Sequence, residues 1–303
     1  MGEIKKLADI VVEARAKGRK KMAVAYGQDS HTLEAVYAAY KEGLVDPILY
    51  GDKAVIEQVC AEHGIDVSVF TIVDEKVDVK CVAQAVQAVA SGEADVLMKG
   101  LVTTEKYMRG ILNKEAGLFP PKAVLSHVSV IEMPVYPKLL IVSDIAIIPL
   151  PDMKQKIQMI GYLAQTANSL GIRTPKIACI APAETLNPNI PSAVEGALLS
   201  KMADRGQLGN VMVDGPLSLD VALFKEVAEH KKVKGAPFAG DPDCLLFPNL
   251  ESGNVFFKAS SHLCHGEIAA MLVGAKKPCV LTSRGDSSQS KLYSIALACL
   301  ACK

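Results

Sequence analysis

The segment Leu281-Thr282-Ser283-Arg284-Gly285-Asp286-Ser287 sets a hydroxyl, a guanidinium and a carboxylate side by side, between the apolar run Pro278-Cys279-Val280 and a helical pattern that includes Lys291-Leu292-Tyr293. Where a helix starts, its unsatisfied N–H groups and the positive end of its dipole face the same spot. Ser283, Arg284 and Asp286 thus have the chemistry of an anion site. Ser and Asp are also the residues that cap helices, so this segment alone reads equally as an ordinary N-cap.

Two further segments have the same character. In Met98-Lys99-Gly100-Leu101-Val102-Thr103-Thr104-Glu105 a strand ends, a glycine permits a sharp turn, and two threonines open a helix that carries Arg109. Lys99, Gly100, Thr103, Thr104 and Arg109 would then converge on the crevice that open parallel sheets offer to ligands; the plainer reading is a capped helix with a solvated arginine. Phe247-Pro248-Asn249-Leu250-Glu251-Ser252-Gly253-Asn254, followed by Lys258, again sets polar, glycine-containing chemistry between a strand and a helix. A fourth segment, Asp214-Gly215-Pro216-Leu217, reads as a tight turn after a strand.

Composition narrows the partners. The 33 basic residues balance 33 acidic ones, which argues against a nucleic-acid or membrane-surface footprint. Only six residues are Arg, at positions 15, 19, 109, 173, 205 and 284, so an Arg at a loop-helix junction stands out. The longest apolar run, Leu139 to Leu150, is broken by Ser143 and Asp144 and falls short of the roughly 20 residues that span a bilayer. With no apolar leader after Met1, the chain reads as cytoplasmic. The eight cysteines are mostly embedded in apolar segments and read as reduced core residues. His262, Cys264, His265 and Glu267 cluster without a second ligand pair at zinc spacing, so no metal is expected. GxGxxG, GxxxxGK[ST] and GxSxG are all absent.

The elements that must hold these segments alternate. Met22 to Tyr26, Pro47 to Tyr50, Val67 to Val73 and Asp95 to Met98 read as strands; His31 to Lys41, Lys53 to His63, Val79 to Ala90 and Thr104 to Asn113 read as helices. Short apolar runs alternating with 3.6-period segments imply parallel strands with crossover helices. Ala123 to Ile131 and Lys138 to Ile148 are two apolar runs joined by a link too short for a parallel crossover, so they should pair antiparallel. Alternation then resumes. The expected fold is α/β: two doubly wound domains with an interdomain cleft, a discontinuous first domain (1–122 plus 273–303) and a second domain (123–272).

Taken in order, these residues resemble the phosphate acetyl/butyryltransferase family, over nearly the whole chain. The resemblance is carried by Ala94-Asp95-Val96-Leu97-Met98-Lys99-Gly100 with Thr103, Thr104 and Arg109; by Val142-Ser143-Asp144; by Asp214-Gly215-Pro216-Leu217; by Phe247-Pro248-Asn249-Leu250 with Gly253, Asn254 and Lys258; and by Lys277-Pro278 leading to Ser283-Arg284-Gly285. It implies transfer of an acyl group between CoA and phosphate, directly in a ternary complex, with acyl-CoA as substrate, no bound cofactor and a homo-oligomeric enzyme. By position, Ser283 and Arg284 match the family's catalytic pair, Arg109 a substrate-binding arginine, and Thr103 and Thr104 hydroxyl residues near the phosphoryl group. The acetyl-type enzymes carry a catalytic aspartate seven residues beyond the serine; here that position is Ser290, and Asp286 lies three beyond. A second arginine of their longer amino-terminal domain has no counterpart. These departures resemble the butyryl-type branch and leave Asp286 as the expected proton acceptor. Two other readings share the architecture: a two-domain hydroxy-acid dehydrogenase, whose metal-binding aspartates are not found, and a non-catalytic CoA-binding protein.

Overall fold

The structure, a computed structural model, describes residues 2–282 and 286–302. In chain order its elements are α1 (Leu7–Ala16), β1 (Lys20–Ala25), α2 (Ser30–Lys41), β2 (Val45–Gly51), α3 (Lys53–Glu62), β3 (Thr71–Asp74), α4 (Asp78–Ser91), β4 (Val96–Lys99) and α5 (Thr104–Ile111). There follow β5 (Ser126–Glu132), β6 (Leu140–Ser143), α6 (Met153–Ser169), β7 (Lys176–Ile180), α7 (Pro191–Asp204), β8 (Met212–Leu217), α8 (Leu219–Leu223), α9 (Lys225–His230), β9 (Cys244–Leu246) and α10 (Leu250–His262). The chain closes with β10 (Glu267–Val273), β11 (Cys279–Val280) and α11 (Ser288–Ala301).

Two compact units divide these elements. The first comprises Leu7–Ala123 and Ile268–Lys303. Its strands lie in the order β3-β2-β1-β4-β11-β10; all neighbours are parallel except β10 and β11. Met22, Ala23, Val24 and Ala25 of β1 are fully buried, as strands covered by helices on both faces require. α4 buries Cys81, Val82, Ala85, Val86 and Val89 along one stripe and stops at Gly92, whose left-handed φ of 85° suits a residue without a Cβ. The strand order reverses between β1 and β4, the position at which open sheets of this kind form their crevice.

The second unit comprises Met1–Lys6 and Val124–Glu267. β5 and β6 pair antiparallel, with Val130 opposite Ile141, and β6, β9, β7 and β8 continue in parallel. The first residues of the chain group with this unit; the Ile4 N–H donates to the Leu170 carbonyl at 2.8 Å. α6 opens with a reciprocal cap between Asp152 and Gln155.

Element limits differ from the sequence reading in three places. The strand expected to run to Ile148 ends at Ser143, because the Asp144 carboxylate draws the N–H groups of Ala146 and Ile147 into a turn at 2.8 Å each. Asp214-Gly215-Pro216-Leu217 is not a turn but the end of β8, where the register against β7 shifts. A proline that donates no hydrogen bond is tolerated on such an edge. Val67–Val69, expected within a strand, form a 3-10 turn, and β3 starts only at Thr71.

Candidate active site

In the first unit β4 and β11 lie side by side and parallel, Leu97 opposite Cys279 and Met98 opposite Val280. The segments that begin at Lys99 and Leu281 therefore leave neighbouring strands at the same end of the sheet. Gly100 belongs to the first of them. Its N–H donates to the Ala25 carbonyl at 2.9 Å, and a Cβ there would overlap the carbonyl of Tyr26, so only glycine lets the exits of β4 and β1 approach this closely. Lys99 is buried, and its ammonium donates to the carbonyls of Gly100 at 3.0 Å and Val102 at 2.9 Å. It staples the loop that carries Thr103.

Thr103 caps α5, accepting the Lys106 N–H at 3.3 Å, and Thr104 follows it, exposed. Arg109 sits one turn further on, its side chain 77% exposed and paired with Glu105 at 2.7 Å. It borders a cavity of about 910 Å³ between α4 and α5, floored by Val79, Val82, Val86 and Met108. α5 is locked down by Tyr107, buried, whose hydroxyl donates to the Val280 carbonyl. Lys106 reaches Asp78 of α4 at 2.6 Å, a hydrogen bond that holds the Asp78 carboxyl below its ordinary range.

Ser283 and Arg284 lie outside the described residues. Asp286, partly buried, precedes the cap of α11 rather than forming it. The cap is Ser287, whose hydroxyl accepts the Ser290 N–H at 3.0 Å. The cap reading open for Asp286 in the sequence is thereby taken by its neighbour.

The second unit carries Asn249, Gly253, Asn254 and Lys258 on α10, away in sequence and in unit from the residues above. Asn249 caps the helix by accepting the Ser252 N–H at 2.9 Å. Gly253 is pressed onto the Asp144 carbonyl, which leaves no space for a Cβ. Asn254 donates its amide to the Ile145 carbonyl at 3.0 Å. Lys258 is exposed, its ammonium 5.1 Å from the centre of the Phe257 ring.

Gly253 and Asn254 thus hold α10 against the turn at Asp144. That carboxylate, 2% exposed, accepts from the Ser126 hydroxyl at 2.7 Å and the His127 N–H at 3.1 Å as well as from Ala146 and Ile147. Sequence reasoning quoted Asp144 only within a motif. Its partners in β5 lie far enough away along the chain that no local pattern signals them.

A second network gathers at the same end of β7 and β8. The Ser218 hydroxyl bonds to the carboxylates of Glu184 and Asp220, and Lys231 pairs with Asp220 at 2.9 Å. The Ser218 and Lys231 bonds hold the Asp220 carboxyl down at about 2. By contrast, burial pushes the Asp214 carboxyl up; its Oδ1 accepts the Gly215 N–H at 2.8 Å while Oδ2 has no partner.

Burial also raises the thiols, Cys279 to about 12 and Cys81 to about 11, the nearby Glu75 adding to the latter. Such thiols are poor nucleophiles at neutral pH. No disulfide joins them. Among the described residues no His, Cys, Asp or Glu group is arranged to hold a metal ion, and no helix is long and apolar enough to cross a membrane.

Comparison with known proteins sets this geometry in context. The sequence model described as phosphate acetyl/butaryl transferase matches residues 6–83 and 75–299. A phosphate butyryltransferase of Clostridium acetobutylicum is 44% identical over 297 residues, covering 98% of each chain. A phosphate acetyltransferase of Thermotoga maritima is 39% identical over 292 residues, 96% of this chain and 98% of that one. Among solved structures, a branched-chain phosphotransacylase from Enterococcus faecalis V583 superposes with a TM-score of 0.82 at 30% identity, covering 93% of this chain and 98% of the other. Likeness of this extent, through both units, makes the chain a member of the phosphate acetyl/butyryl transferase family.

Proposed function

We propose that this enzyme transfers a short-chain acyl group, butyryl by preference, between CoA and inorganic phosphate. The structural observation that supports a reaction centre in the first unit is the parallel adjacency of β4 and β11, whose chains continue into Lys99-Gly100 and Leu281-Thr282 at the same end of the sheet.

A phosphate oxygen attacks the thioester carbonyl carbon, the C–S bond breaks, and the proton shed by phosphate ends on the departing thiolate, giving acyl phosphate and CoA thiol. Phosphate is a poor nucleophile unless held, and the planar guanidiniums of Arg109 and Arg284 suit its oxygens bidentately. Ser283 is the donor for the oxyanion that develops on the carbonyl. In the reverse direction the thiol, with an ordinary pKa of about 8.5, must lose its proton, and Asp286 is the carboxylate beside Ser283 in the chain. The buried, raised thiols of Cys81 and Cys279 are unsuited to accept the acyl group. Thr103 and Thr104 complete the proposed substrate contacts of this unit. The enzyme acts in the cytoplasm as a homo-oligomer without a resident cofactor.

The acetyl ester is the second reading, on the strength of the acetyltransferase relative. Initial rates with phosphate and acetyl-, propionyl-, butyryl- or valeryl-CoA, followed by thiol release, decide between them. A maximum at acetyl-CoA transfers the assignment, and no release from any thioester removes it.

A further inference from the structure

Among the described residues three lysines are buried: Lys99 at 9% exposure, Lys156 at 3% and Lys291 at 6%. The first donates to loop carbonyls and the second pairs with Glu195. Lys291 alone of the three makes no side-chain hydrogen bond or ion pair among the described residues. Nor is its ammonium sealed from solvent, since the sealed unpartnered side-chain atoms are Asp29 Oδ2 and Asp214 Oδ2.

Its position compounds the cost. Lys291 is the fourth residue of α11, a helix of 14 residues, and helical side chains lean back towards the N-terminus. A cation there opposes the helix dipole, and burial without a counter-charge is costly again. Ser290 and Lys291 have their N–H groups satisfied by the Ser287 hydroxyl and carbonyl. Those of Ser288 and Gln289 open the helix with no intrahelical acceptor. The backward lean of the side chain carries the Lys291 stem towards those free N–H groups, and no described residue pairs with its ammonium.

We infer that Lys291 is a substrate-binding residue whose ammonium holds the phosphoryl group of phosphate or acyl phosphate. A compact tetrahedral oxyanion satisfies the ammonium and the helix end together. The inference rests on the reading that the Ser283–Asp286 segment is the reaction centre. It names a charge that the sequence pattern concealed, because Lys291 stands beside Ser290, the position at which the resemblance calls for a carboxylate.

The test uses Lys291→Met, which keeps the apolar stem, Lys291→Arg, and Arg284→Ala as the control for the reading beneath. Lys291→Met should raise the phosphate KM by at least about tenfold, leave the acyl-CoA KM within about twofold, and melt no lower than wild type, because it removes an unpaired buried charge. Lys291→Arg should recover part of the phosphate affinity. In the wild-type enzyme, inorganic phosphate should slow acetylation of Lys291 by an amine-reactive label, a readout that does not depend on a variant folding. An unchanged phosphate KM with no protection overturns the inference, and so does a fall in kcat at constant phosphate affinity. If Arg284→Ala abolishes transfer while Lys291→Met is silent, the reaction centre stands and the Lys291 assignment falls. If both variants are silent, the reaction centre itself is misplaced.

Discussion

The Tyr107 hydroxyl donates to the Val280 carbonyl at 3.1 Å, joining residues 173 positions apart in the chain. Tyr107 lies two residues before Arg109 in α5, and Val280 ends the strand that leads to Ser283 and Arg284. One hydrogen bond thus ties the helix that bears Arg109 to the end of β11. Tyr107→Phe should lower stability by about 1 kcal/mol, read as a lower thermal midpoint. It should also reduce kcat more than it raises either KM, because loosened geometry costs most in the transition state.

Arg109→Ala and Arg284→Ala should each slow acyl transfer by a factor of at least about a hundred, the scale of an oriented charge lost from the transition state. Lys replacements should rescue poorly, since an ammonium does not reproduce the guanidinium fork. For Arg109 the control is Glu105→Gln, which removes its ion-pair partner. That exposed pair adds little stability, so Glu105→Gln should leave the melting curve where it is.

Asp286→Asn separates base from bystander. As the base, its loss should slow formation of acyl-CoA from acyl phosphate most at low pH, where little thiolate exists, and raising the pH should partly restore the rate. Because Ser287 holds the cap, a change in the pH-rate curve of this variant is not explained by loss of the helix cap. A pH-rate curve identical to wild type would move the role to Ser290 or to phosphate itself.

Removing the Asp144 carboxylate strands two backbone N–H groups of the following turn, that of His127, and the Ser126 hydroxyl. Asp144→Ala should therefore cost about 3 kcal/mol or more, as buried charge-assisted networks do when one partner is cut away. Chemical denaturation of the variant measures it directly.

Asp214 gives a stability change with a definite sign. Its folded carboxyl is raised above the ordinary value by burial, so the native state holds its proton more tightly than the unfolded chain. Stability is then greatest below the unfolded pKa of about 3.9 and declines as pH climbs through the folded value. Asp214→Asn should melt close to wild type near pH 4 and above it at pH 7. A gap of the same size at both values would dismiss the charge as the cause.

The alternation of strands and helices was legible because apolar runs such as Met22–Ala25 and Val96–Met98 are buried on both faces and carry their own punctuation. The antiparallel pair of β5 and β6 was legible from the shortness of its link. Strand ends were not: nothing near Asp144 announces that its side chain will capture the next turn, and Gly215-Pro216 has turn chemistry although it lies on a sheet edge. In the candidate site, glycines and hydroxyls at loop-helix junctions marked the right segments. What they conceal is division of labour. Asn249 reads as a ligand contact yet caps its own helix, and Gly253 and Asn254 have framework partners that only the folded chain brings within reach.

The order in which a ribosome delivers this chain matters for its sheet. β4 lies between β1 and β11, and β11 is made only after the whole of residues 124–267 has been synthesised. At about 5–20 residues per second, one edge of a fully buried strand waits on the order of ten seconds for its partner. The nascent protein therefore carries an open, apolar β edge through most of its synthesis, the kind of edge that recruits chaperones or misplaced neighbours. Its first unit becomes complete only as the last helix clears the exit tunnel.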